Sequence, residues 1–300
     1  MVEFLQHVIN GLGLGSIYAL IALGYTMVFG ILQLINFAHS DVYMIGAFAG
    51  YYASRYFGLA DSPGLLSLLI ALGCAMGACG ALGFTIERFA YRPLRKAPRI
   101  NVLITAIGVS LLLEFGGQIV FGADPKFFPT LYSAGNTLVF GGVQIEPIQL
   151  LVFVVSVLLM VALRFIIFKT KAGRAMRAVS FSHTNAALMG IPVDRTISFT
   201  FILGSALAGA AGILVGLTYP KIDPLMGVMF GLKAFVAAVV GGIGNVTGAV
   251  LGALLMGVAE TMVIAYWAPT YRDALAFSLL ILILLFKPSG LLGSHRMEKV

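Results

Sequence analysis

Charge is scarce in these 300 residues: Asp, Glu, Lys and Arg together make up 10% of them, against roughly 25% in a soluble globular domain. Set beside 60% hydrophobic residues and a mean hydropathy of +1.00, that scarcity excludes an ordinary soluble protein. Cysteine occurs twice and tryptophan once. Cys74 and Cys79 lie inside an apolar run at a spacing that suits neither a metal site nor a redox motif, so both read as packing residues. His7, His39, His183 and His295 are far apart and form no His-Glu-x-x-His pattern, so no metal centre is expected. The run Gly241–Gly248 has neither the lysine nor the spacing of a phosphate-binding loop, which argues against a nucleotide site. Its Asn245-Val-Thr sequon lies between apolar segments and reads as accidental. No nucleophile elbow or catalytic carboxylate pair is evident, so an embedded enzyme is the weakest class. A basic region and cleavage site are missing at the N-terminus, so no removable signal is expected.

What remains is a succession of continuous apolar runs with 36 glycines. Continuous rather than alternating hydrophobicity favours a helical bundle over a β-barrel. The expectation is an all-α membrane protein: one domain over residues 1–300, a polytopic bundle of about eight or nine transmembrane or re-entrant segments. Nine stretches are predicted, at 11–35, 42–57, 65–90, 101–121, 148–168, 196–217, 226–240, 246–267 and 274–286. The stretch 226–240 is short for a crossing, so a re-entrant or broken helix is open there. Assigning 88–99, 164–177, Arg195 and the tail to the cytoplasm collects 14 of the 19 basic residues. That bias places the C-terminus inside and, if all nine stretches cross, the N-terminus outside. The net charge of +7 then reflects inner loops and calls for no nucleic acid.

The largest polar island runs over about 169–195. It has helical spacing but is too short and too charged to cross. Arg174, Arg177 and Phe181 fall on one face, with Met176, Val179 and Ala186 on another. Gly190 and Pro192 end this helix, and Asp194 is placed to cap the next. Such a helix is either a docking surface for a soluble partner or a basic loop that only fixes orientation. Elsewhere, Glu114, Lys233 and Glu260 are ionisable groups in or near apolar segments. They belong either to a structural ion pair or to a substrate path. Lys233 and Glu260 could differ in depth by about two turns, a gap that snorkelling could close. The polar break Asn36-Phe37-Ala-His39-Ser-Asp41 is either a path-lining interruption or a simple loop.

Several blocks together resemble the LivH-type permease of branched-chain amino acid ABC importers. They are Gly15–Gly24, Leu34–His39 with Val42–Ala47, Gly173–Ala178 through Met189–Arg195, Lys233-Ala-Phe, Gly241–Gly252 and Gly257–Glu260. Two places depart from the family pattern: Ser40-Asp41, and Val179-Ser-Phe-Ser-His183. The resemblance implies an inner-membrane permease with a cytoplasmic C-terminus. Its partners would be a second, LivM-type permease, two ATPase subunits, an external substrate-binding protein, the amino-acid substrate and membrane lipid. ATP and magnesium would bind those ATPase subunits and no cofactor would bind this chain. Coupling to the ATPases would fall on Gly173, Arg174, Arg177, Ala178, Phe181, Ala186, Ala187 and Gly190. A translocation path would involve Asn36, Phe37, His39, Glu114, Lys233, Gly244, Asn245 and Glu260. From the residues alone, the competing class is an ion-coupled carrier or channel that works without an ATPase.

Overall fold

The computed structural model describes residues 1–95, 97–132 and 137–293; the side chains of Arg99, Leu138 and Phe140 also fall outside the description. Of the groups singled out from sequence, Lys96, the Arg99 side chain, His295 and the end of the basic tail lie outside the described residues.

Helices dominate because a chain surrounded by lipid must satisfy its backbone groups internally. Seven helical segments among the described residues are long and apolar enough to cross a membrane. They are built on α1 (Val2–Leu32), α3 (Leu65–Ile86), α4 (Arg99–Phe121), α5 (Pro147–Lys169), α8 (Val193–Thr218), α10 (Val246–Tyr266) and α11 (Arg272–Phe286). Two more are marginal: α2 (His39–Tyr56), which carries Asp41 and Arg55, and α9 (Met226–Gly241), only 16 residues long. Between α5 and α8 lie two short helices, α6 (Lys171–Phe181) and α7 (His183–Leu188). Four short strands form two antiparallel pairs: β1 (Lys126–Phe127) with β4 (Lys221–Ile222), and β2 (Leu138–Phe140) with β3 (Val143–Ile145).

Contacts between loops sort the ends of the helices onto two faces. The Gln6 amide donates to the Gln144 carbonyl at 2.7 Å, Lys126 reaches the Tyr52 hydroxyl, and β1 pairs β4. The start of α1, the end of α2, the α4–α5 connection and the α8–α9 connection therefore share one face. On the other face His183 Nε2 lies 3.0 Å from the Ile31 carbonyl, and the amides of Leu291 and Leu292 donate to Val240 and Gly241. The end of α1, the α6–α7 segment, the α9–α10 turn and the chain at residue 293 thus lie together, opposite the N-terminus.

This sorting corrects the reading of Met226–Val240 as a candidate re-entrant stretch. α9 is a continuous 16-residue helix whose flanks lie on opposite faces, so it does not turn back to the face it starts from. The segment that turns back is 33–38. α1 ends at Gln33 in the left-handed conformation (φ 56°), yet His39 packs against Gly24, about 12 Å back up α1. Helix boundaries differ from the sequence reading mostly by one to three residues. The largest shift is at α1, which begins at Val2 rather than Gly11 because Glu3, Gln6, His7 and Asn10 are polar turns that hydropathy discounts. α3 ends four residues early, passing into a π-turn at Glu87–Tyr91 and a 3₁₀ turn at Arg92–Leu94 that includes Pro93.

Lipid supplies no solvophobic drive between apolar helices, so close backbone approach has to hold them. A Cβ on Gly257 of α10 would stand 2.3 Å from the Gly15 nitrogen of α1, and one on Gly212 of α8 would stand 2.6 Å from Ala47 of α2. Gly209 of α8 meets the Ala75 carbonyl of α3 in the same way. α1 and α8 are consequently the most enclosed spans, while α4, α5 and α11 present mostly exposed apolar faces. Gly257→Val is expected to lower stability by about 1–3 kcal/mol through overpacking. Gly13→Ala, where nothing lies within 4 Å, should be nearly neutral; thermal unfolding of the detergent-purified chain compares the two.

Candidate functional site: an elbow helix and the polar groups behind it

The α6–α7 segment is fastened to the bundle on one side and open on the other. At its start the Thr170 hydroxyl accepts from the Gly173 amide and donates to the Ile166 carbonyl, closing the end of α5 onto the start of α6. Gly173 is there for space: a Cβ would fall 2.2 Å from the carbonyl oxygens of both Ile166 and Ile167. Met176, Val179 and Ala186 are buried against the bundle. Arg174, Arg177 and Phe181 face outward, and the Arg177 guanidinium lies 5.2 Å from the Phe168 ring centre. Phe181, Leu188 and Met189 are 79%, 81% and 82% exposed. Ala187 and Gly190 are exposed as well, and Ala178 is half-buried.

Two expectations about this segment need correction. Residues 173–190 do not form one helix: the chain breaks at Ser182, whose extended backbone and side chain cap α7 by accepting from the Asn185 amide. Asp194 does not cap α8, whose N-cap is Pro192; its carboxylate instead takes Arg92 and Arg95 from beyond α3. Arg95 also pairs with buried Glu87, which accepts from Ser198 of α8. This clamp ties the π-turn to the start of α8. Glu87 lay within the predicted stretch 65–90 without a role, since a clamp between positions a hundred residues apart leaves no local pattern.

The candidate path residues fall into three places rather than one. In the re-entrant break, Tyr91 donates to Asn36 Oδ1 at 2.6 Å, Phe37 packs on Phe235, and His39 meets the Tyr25 ring edge at 4.9 Å with its Nε2 unpartnered. Nearby, Asp41 accepts from Ser110 of α4, one turn from half-buried Glu114. In the second place, Lys233 and Glu260 pair directly at 2.8 Å, the long lysine side chain reaching the carboxylate. Tyr18 donates to Glu260 at 2.9 Å, Arg272 lies 2.9 Å from the same carboxylate, and Asp273 takes Lys233 at 2.7 Å. Tyr18, Arg272 and Asp273 were missed as members, although the charged pair at the start of α11 was visible. Third, Gly244 (φ 93°) and Asn245 form the α9–α10 turn: Asn245 Oδ1 accepts from Thr247 and Gly248, and its amide donates to Leu292. A cleft of about 700 Å³ joins this turn to the elbow, with Gly30, Phe168, Arg177, Gly244 and Asn245 on its walls. It brings one coupling candidate and two path candidates together.

The fold and these embedded polar groups define a multi-pass helical membrane protein. A family model described as branched-chain amino acid transport system / permease component matches residues 7–284. The chain belongs to that family. It is 45% identical to the high-affinity branched-chain amino acid transport system permease protein BraD of Pseudomonas aeruginosa, over 99% of this chain and 98% of that protein. It is 42% identical to the corresponding protein LivH of Escherichia coli K12, over 99% and 98%. A solved structure titled as an inward-facing putative metal-chelate type ABC transporter aligns at a TM-score of 0.46 and 16% identity, covering 93% of this chain and 85% of that one. That likeness is too distant to carry an argument.

Removing one member of a buried ion network strands its partners. Glu260→Leu should destabilise the fold by about 3–5 kcal/mol, read as a lowered unfolding temperature in detergent. An unchanged temperature would show that the network is dispensable.

Proposed function

We propose that this chain is the membrane-spanning permease subunit of an ATP-binding-cassette importer, moving branched-chain amino acids into the cytoplasm. The observation that carries this is the near full-length likeness to permeases named for that transport. On this reading a second, LivM-type permease completes the path. Two ATPase subunits bind ATP and magnesium on the cytoplasmic face, and an external binding protein delivers substrate. On the same reading the α6–α7 face is cytoplasmic and the C-terminus lies in the cytoplasm of an inner-membrane protein, which the bias of Lys and Arg towards the assigned inner loops supports.

Mechanically, the exposed stripe of Arg174, Arg177, Phe181 and the α7 surface at Ala187 and Gly190 receives the ATPases, with Ala178 and Ala186 seating it on the bundle. Gly173 makes the joint with α5 too tight to slide, so movement of α6 carries α5, and α7 leads into α8. A shift of these spans alters the population of outward- and inward-open states, provided the ATPases contact the two states differently. The path follows the re-entrant break at Asn36, Phe37 and His39, with Glu114 on the open side of α4. Lys233 and Glu260 hold α9, α10 and α11 around it, and Gly244 with Asn245 shapes its inner turn. Apolar walls with a few polar groups suit an amino acid with an apolar side chain.

Reversing the charge with Arg174→Glu/Arg177→Glu in the reconstituted importer should cut ATP-dependent uptake by about tenfold or more while the permease stays folded and inserted. Unchanged uptake would contradict the docking assignment. Solute flux through the isolated chain without ATP would favour a carrier acting alone.

A further inference from the structure

Beside the elbow, on the same face, a groove of about 1070 Å³ opens between the end of α3 and the start of α8. Arg88, Arg92 and Arg195 stand at its polar end and Phe84, Phe199 and Ile202 form its apolar wall. We propose that it holds an anionic phospholipid of the inner leaflet, the phosphate among the arginines and an acyl chain along the wall.

Charge and depth carry the inference together. Asp194 is the acid lining this groove, and Arg95 shares its carboxylate with Arg92. Arg88 and Arg195 are exposed and form no ion pair among the described residues. The groove is thus left with positive charge that an anion satisfies. Its wall then runs away from the arginines: Ile202 lies about 10 Å along α8 from Arg195. In a 26-residue helix spanning a hydrocarbon core of about 30 Å, that depth falls within the core. Phe84 continues the exposed apolar face of α3 that includes Leu66 and Leu69. A free phosphate would use the arginines and leave the wall empty, whereas a lipid uses both. Basic pockets between spans at the cytoplasmic surface are a recognised setting for acidic headgroups. The inference rests on the membrane-spanning fold and not on the transport reading.

The test is native mass spectrometry of the purified importer, released from nanodiscs of mixed phosphatidylglycerol and phosphatidylcholine, counting retained lipid. Wild-type protein should retain phosphatidylglycerol preferentially. Arg88→Gln/Arg195→Gln should lower that preference by about thirtyfold, the weight of two arginines at an anionic surface. Arg88→Lys/Arg195→Lys should keep most of it. Ile202→Trp, with the arginines intact, should also reduce retention by filling the wall. Equal retention of the two lipids by wild-type protein, or an unchanged preference in the folded Gln variant, would overturn the proposal. So would displacement by millimolar inorganic phosphate, which assigns the site to a free anion. Loss of the lipid whenever the ATPase subunits are bound would overturn it in favour of a protein contact.

Discussion

On the proposed reading, the joint between α5 and α6 is the constraint on which transmission through this molecule depends. Two carbonyl oxygens at the end of α5 occupy the space where a side chain on residue 173 would begin. The Thr170 hydroxyl closes the same turn from both sides. At this joint α6 meets α5 through backbone atoms, so on the proposed reading a push on α6 is passed to α5. On its far side the segment is tied to α1 through His183 and leads into α8, whose start is clamped to the end of α3. The α6–α7 segment is therefore joined, directly or through the clamp, to four spans.

The rest of the bundle follows the same economy of space. Small residues bring α1 against α10, and α8 against α2 and α3, close enough for dispersion between backbones to replace the hydrophobic effect that lipid cannot provide. One cluster of charges inside the bundle neutralises itself. Lys233 and Arg272 face Glu260 and Asp273, and Tyr18 fills a remaining acceptor position on Glu260. A buried network of this kind adds little net stability. Its value lies in registry, since only one arrangement of α1, α9, α10 and α11 satisfies all of its members.

Much of this was legible beforehand. Apolar runs located nine helices, seven of them long and apolar enough among the described residues to cross a membrane, and the i, i+3, i+4 spacing in 174–181 separated the two faces of α6. What escaped were features set by distant partners. Ser182 reads as one more polar residue in a helix until its cap to Asn185 is seen, and Asp194 suggests a cap until two arginines from another span are found beside it. The return of the chain at 33–38 is invisible to hydropathy, which ranks residues by polarity and cannot say that a polar break climbs back toward Gly24. Resemblance supplied the class, and the structure supplied the mechanical connections.

The central claim is that ATP-driven motion enters through the outward face of α6. Placing a photo-crosslinking amino acid at position 181, with position 219 on the opposite face as the control, tests it most directly in the assembled importer. The account expects an adduct with an ATPase subunit from position 181 and none from position 219. An adduct from position 181 with lipid or the external binding protein alone would contradict it.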